Sequence, residues 1–152
     1  MITLFLIAWP LITGGLLFLS GAESAKKLAL VFSLIQLVVT GYLLVVFQRT
    51  AETQFLVNYN WVPSLGINFK IGIDGISLIL VLLTNLLMPL IILSSSFNTY
   101  KKENAFYGLM LIMQAALIGV FVSLDAFLFY VFWELALLLF ISSFSFGVEI
   151  AK

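Results

Sequence analysis

From Gly75 to Tyr100 the chain reads GISLILVLLTNLLMPLIILSSSFNTY, without one charged residue. A bilayer core ~30 Å thick needs about 20 apolar residues in helical form, and this run supplies them. Its apolar residues fall in blocks, LILVLL and LLMPLII, whereas a barrel strand alternates lipid-facing and lumen-facing residues. The run reads as a membrane helix, entered at Asp74 and left at Lys101, Lys102 and Glu103.

The same spacing recurs outward from it. Residues 1–22, 28–48 and 104–124 are uncharged, and 126–148 carries only Glu134. The sequence therefore predicts an all-α membrane protein, one transmembrane region over 1–152. Its five helices fall at about 2–20, 28–47, 75–97, 105–123 and 126–146. The first run reads as a retained helix, because no basic residue precedes it and no small-residue cleavage site follows a short apolar core.

Composition agrees. Of 152 residues 63% are hydrophobic and 9% charged, against about 25% charged in soluble domains. That balance excludes a soluble enzyme, a nucleic-acid-binding module and a disordered segment. The formal net charge is zero, so no electrostatic partner is implied and the bilayer itself is the first partner. There is no Cys and no His, which removes thiolate chemistry and the usual zinc and haem ligands. No glycine-rich phosphate cradle occurs. Neither a metal nor a cofactor is expected on this chain.

Orientation follows from basic residues. Lys26, Lys27, Lys101, Lys102 and Lys152 fall on one side, Arg49 and Lys70 on the other. This predicts an outside N-terminus and a cytoplasmic tail. The outer 48–74 connection holds Tyr59, Trp61 and Pro63, and reads as irregular or as a short hairpin with strands at Tyr59–Trp61 and Ile67–Phe69.

Glu134 is the outlier among the polar residues. Nine residues beyond Asp125, it lies ~13.5 Å along a helix, near the bilayer centre. A charged acid there costs at least ~2.5–3.5 kcal/mol and normally faces protein or water. Desolvation disfavours carboxylates, which suits a group that exchanges protons near neutral pH. The competing reading is a protonated packing residue. Tyr130, four residues earlier on the same face, can reach the carboxyl, and Leu138, Ile141 and Ser145 continue that face. Asp125 is turned about 180° from Glu134 and reads as a helix cap, as does Asp74. Asn85 and Gln114 read as inter-helix hydrogen-bonding groups, with a hydrated path as the minor alternative. Pro89 should kink its helix. Gly14, Gly15, Gly41, Gly108 and Gly119 fit close helix packing.

Two stretches resemble a known family. KIGIDGISLILVLLTNLLMPLIILSS (Lys70–Ser95) is similar to the segment entering the third helix of the antiporter-like subunit M of bacterial NADH-quinone oxidoreductase, whose mitochondrial counterpart is NADH dehydrogenase chain 4. SLDAFLFYVFWELAL (Ser123–Leu137) resembles that family's fifth helix, and FWELAL points to subunit M over the related subunit L. The resemblance implies a multi-pass subunit in the bacterial inner membrane, within the membrane arm of respiratory complex I and beside its other subunits. It implies coupling of quinone reduction elsewhere to proton pumping. It further implies that Glu134 is the proton-transfer residue, with Tyr130, Gln114 and Asp125 as possible support, and that its Lys partner lies on a later helix. The chain then corresponds to roughly the first third of a family member. After Leu137 it departs from the family pattern, which suggests a truncated or frame-shifted product. Two alternatives stand beside this reading: a subunit of a related cation/proton antiporter or membrane-bound hydrogenase, and a small five-helix protein with a structural role only.

Overall fold

The computed structural model describes residues 1–48, 50, 52–95 and 102–148, without the side chains at 22–23 and 144–148. Arg49, Lys101, Lys152 and the expected end of the third helix at 96–97 lie outside the described residues, as does the Ser145 side chain. The chain order is α1 (Ile2–Leu19), α2 (Ala22–Val46), β1 (Gln54–Val62), β2 (Ile67–Ile73), α3 (Gly75–Ser94), α4 (Glu103–Val122) and α5 (Ala126–Val148). All five helices are long and apolar enough to cross a membrane, α5 by its Ala126–Ser143 portion.

α2 begins at Ala22, about two turns earlier than the charge pattern suggests. Charges mark where hydrocarbon ends, not where the backbone stops being helical. Lys26 and Lys27 sit in the first turns of α2, where flexible stems carry ammonium groups to the interface.

α4 is the central helix. It packs on α1, α2, α3 and α5, while α5 packs chiefly on α4 and touches the hairpin through β2 and through Phe127 against the Trp61 ring of β1. Small residues let the backbones approach. A Cβ at Gly14 would lie 2.9 Å from the Gly108 carbonyl oxygen, and one at Gly108 3.0 Å from the Gly14 carbonyl oxygen. A Cβ at Gly119 would enter the Phe132 ring of α5. Gly15 and Gly41 differ from expectation: both face open space and hold no close contact.

The hairpin is longer than the two expected strands, which form its turn end. β1 and β2 pair antiparallel, with Asn58 opposite Lys70 and Tyr59 opposite Phe69. A turn at Pro63–Leu65 and Gly66 at φ 66° joins them. The register shifts between Gln54 and Val57 and between Asn60 and Val62, and Phe55 adopts φ 54° at the first shift. Such shifts break the alternation by which a strand is recognised in sequence. The hairpin is anchored to the helices. The Leu124 N–H donates to the Lys70 carbonyl at 2.9 Å, and Thr3 Oγ1 donates to the Phe55 carbonyl at 2.7 Å. It therefore closes the end of the bundle where α1, α3 and α5 begin.

Two apolar clusters fill the interior. One, beneath the hairpin, includes Leu6, Leu43, Ile71, Val81, Ile118 and Val122. The other, at the far end, includes Leu17, Ala29, Met88, Ile92 and Leu111. On α2, α3 and α4 a polar residue falls between the stretches that feed the two clusters: Gln36 with Thr40, Asn85, and Gln114.

Candidate functional site

α5 starts at Asp125. Its Oδ1 accepts from the N–H groups of Phe127 at 2.9 Å and Leu128 at 3.2 Å, and Oδ2 accepts from the Asn68 N–H of β2 at 3.4 Å. One carboxylate thus caps the helix and fastens it to the hairpin. The Leu128 N–H, with those of Asn68 and Phe127, holds Asp125 below the ordinary carboxylate range. Its role is capping, and it does not meet Glu134. Asp74 does the same for α3. Ser77 N–H donates to Asp74 Oδ1 at 2.7 Å and Asp74 N–H donates to Ser77 Oγ at 2.8 Å, a reciprocal box. The Ser77 N–H is the main reason that Asp74 also lies below the ordinary range.

Glu134 sits more than two turns into α5, half-buried. Tyr130, one turn earlier, lies near enough to interact with its carboxyl. The other residues of that face are open: Tyr130 is 58% exposed, Leu138 62% and Ile141 65%. α5 presses on α4 through Leu128 and Phe132 instead. The sequence has no Lys or Arg from residue 103 to 151, so no later basic residue up to 151 pairs with this acid. On a neighbouring flank α4 and α5 leave an apolar groove of ≈ 430 Å³, lined by Met113, Leu117, Phe121, Trp133, Leu137 and Phe140. It offers no polar group to a substrate.

Gln114 is directed elsewhere. Its Nε2 donates to Asn85 Oδ1 at 2.7 Å, so it joins α4 to α3 rather than supporting Glu134. Asn85 Nδ2 donates in turn to Thr40 Oγ1 at 2.6 Å, and Thr40 Oγ1 donates to the Gln36 carbonyl at 2.9 Å. Gln36 Nε2 donates to the Leu6 carbonyl of α1 at 2.8 Å. That carbonyl is free because Pro10, four residues on, has no N–H. All four side chains are 0% exposed. Each inter-helix bond of this kind averages about 0.6 kcal/mol in a membrane protein, with a maximum near ~1.7 kcal/mol. The residues alone point to Asn85 and Gln114. Gln36 and Thr40 escape notice, although their four-residue spacing inside an apolar run puts both on one helix face.

Of the residues singled out in the sequence, the structure thus brings Tyr130 to Glu134. It places Asp125 at the helix start and Gln114 in a separate four-helix polar layer. Among the described residues no group of three or more acidic side chains forms a metal site.

A family model described as NADH-ubiquinone oxidoreductase chain 4, amino terminus, matches residues 3–124. Subunit M of the F(420)H(2) dehydrogenase of Methanosarcina mazei is 50% identical over 88 residues, covering 58% of this chain and 18% of that protein. The NADH-quinone oxidoreductase subunit M of Rickettsia typhi is 34% identical over 127 residues, covering 78% of this chain and 26% of the relative. A chain of respiratory complex I from Thermus thermophilus, solved with bound NADH, superposes with a TM-score of 0.76 at 26% identity. That superposition covers 91% of this chain and 27% of the solved one. The chain thus spans about a quarter or less of the proteins that it matches.

Proposed function

The chain belongs to the family of the NADH-ubiquinone oxidoreductase chain 4 amino terminus, a multi-pass membrane protein, and from that premise we propose that it forms the first helices of a proton-translocating, antiporter-like membrane-arm subunit. In this reading Glu134 is the group that takes up and releases the proton, at mid-membrane on α5. Other membrane-arm subunits are its partners, the bacterial inner membrane is its location, and redox cofactors belong to other subunits.

The observation that carries the reading is the placement of Glu134 on a membrane helix of this family's fold, one turn after Tyr130. A carboxyl left against lipid costs ~2.5–3.5 kcal/mol or more, and the face that bears it is uncovered by the chain's own helices. Further helices of the assembly would cover that face and supply the proton's path. Tyr130 orients the carboxyl and offers it a hydroxyl donor or acceptor.

A second reading has its own support. The 50% identity to the F(420)H(2) dehydrogenase subunit M favours a related complex whose electrons enter from a donor other than NADH. The membrane helices are the same in both readings, and the donor-oxidising module differs.

Assembly tests the proposal. The tagged protein, solubilised from its native membrane in mild detergent, should co-migrate on a native gel with a quinone-reducing complex. Staining that band with NADH or with reduced F420 as donor separates the two readings. Migration alone, with quinone-reducing activity in another band, would contradict both.

A further inference from the structure

We infer that the four-helix interior binds ordered water at both ends of the Gln36–Thr40–Asn85–Gln114 chain, a hydrated layer separate from Glu134. Donors in this chain all run one way, from Gln114 to Asn85 to Thr40 to the Gln36 carbonyl. At each end one side-chain oxygen has no partner: Gln114 Oε1 at the α4 end and Gln36 Oε1 at the α2 end. Both residues are 0% exposed, so no further helix reaches them without opening the bundle.

Turning the amides over does not remove the mismatch. A reversed Gln36 would set its oxygen against the Leu6 carbonyl that it now serves. A reversed Gln114 would set oxygen against Asn85 Oδ1 unless Asn85 turned as well. Asn85 Oδ1 would then face Thr40 Oγ1, whose proton goes to the Gln36 carbonyl. Each rearrangement moves the open group along the chain and leaves one open.

Proline adds a third acceptor to the same layer. Pro89 has no N–H, so it cannot close the i→i−4 bond to the Asn85 carbonyl. The layer therefore holds open acceptors, and the second N–H of each of its three amides is open too, a mixture that water, both donor and acceptor, can meet. Buried polar groups of native proteins are paired, and ordered water is the usual remedy where protein offers no donor. Water is also the occupant that fits the charge. A bare cation would need several oxygen ligands and a counter-charge, and every member of the chain is neutral.

Magnetic transfer from water tests this in the full protein, reconstituted in lipid nanodiscs with 15N-labelled glutamine, valine and isoleucine. The Gln36 and Gln114 side-chain amides should gain water magnetisation several-fold faster than the backbone amides of Val81 and Ile118, which are equally buried among apolar groups. Transfer no faster than at Val81 and Ile118 means a dry layer and overturns the inference. Sodium-dependent shifts of these amide signals would put a cation in water's place and overturn it too. Gln114→Met, which removes the α4 end of the chain, should keep the fast transfer at Gln36. The wild-type result stands alone if that variant does not fold.

Discussion

At the scale of single residues, Glu134 and the Gln36–Gln114 chain make different demands on the same bilayer depth. Gln at position 134 keeps the size of the side chain and its ability to interact with Tyr130. Glu134→Gln should therefore change stability by no more than about 0.5 kcal/mol, checked by reversible unfolding in mild detergent. Loss of several kcal/mol would mean that the carboxyl is tied into the packing more firmly than one tyrosine contact allows. Asn85 and Gln114 should behave as a pair. A double-mutant cycle with Asn85→Ala and Gln114→Ala should give a coupling energy of ~0.6–1.7 kcal/mol, and additive effects would dissolve the pair. Glu134 stands out in sequence because a charge in an apolar run is conspicuous. Gln36 and Thr40 do not, since one amide or hydroxyl costs a helix little until its partners are known. The link between Pro10, the freed Leu6 carbonyl and Gln36 crosses thirty positions of sequence and shows only in three dimensions.

At the scale of elements, helix existence was legible from the gaps between charges, and helix contact was not. Five glycines look alike in sequence. The structure separates Gly119, against the Phe132 ring, from Gly41, in open space. Gly119→Ala should cost about 1–3 kcal/mol, because the root of an aromatic ring cannot swing clear. Gly41→Ala should be neutral or stabilising by up to about 1 kcal/mol, through its helix propensity. Thermal or denaturant unfolding of the two variants side by side checks the order, and equal effects would contradict the α4–α5 packing. The hairpin was partly legible. Its turn end carries aromatic and β-branched residues, but the bulge between Gln54 and Val57 hides where the strands start from the helices. The capping box gives a pH dependence. The carboxylate of Asp74 is held below its ordinary range by the Ser77 N–H. Its contribution is full above the unfolded value of ~3.9 and is lost as pH falls through the lower folded value. Asp74→Ala should cost about 0.5–2 kcal/mol near neutral pH. The gap between variant and wild type should close as the medium is acidified below pH ~3.9. A gap that persists there would mean that the cap does not depend on charge.

At the scale of the whole molecule, the hairpin, the start of α1 and the α4–α5 junction share one end of the bundle. The Lys distribution assigns that end to the outside. Leu65→Cys, at the 73% exposed hairpin turn, should label from outside intact cells with an impermeant maleimide. Lys27→Cys should label only after permeabilisation, and the reverse pattern would invert the orientation. Proton translocation in sealed vesicles of the assembled complex tests the role of the carboxyl at mid-membrane. With the electron donor and quinone supplied, Glu134→Gln should assemble but lose translocation, while Glu134→Asp should keep a reduced level. Wild-type proton translocation in an assembled Glu134→Gln complex would contradict that role.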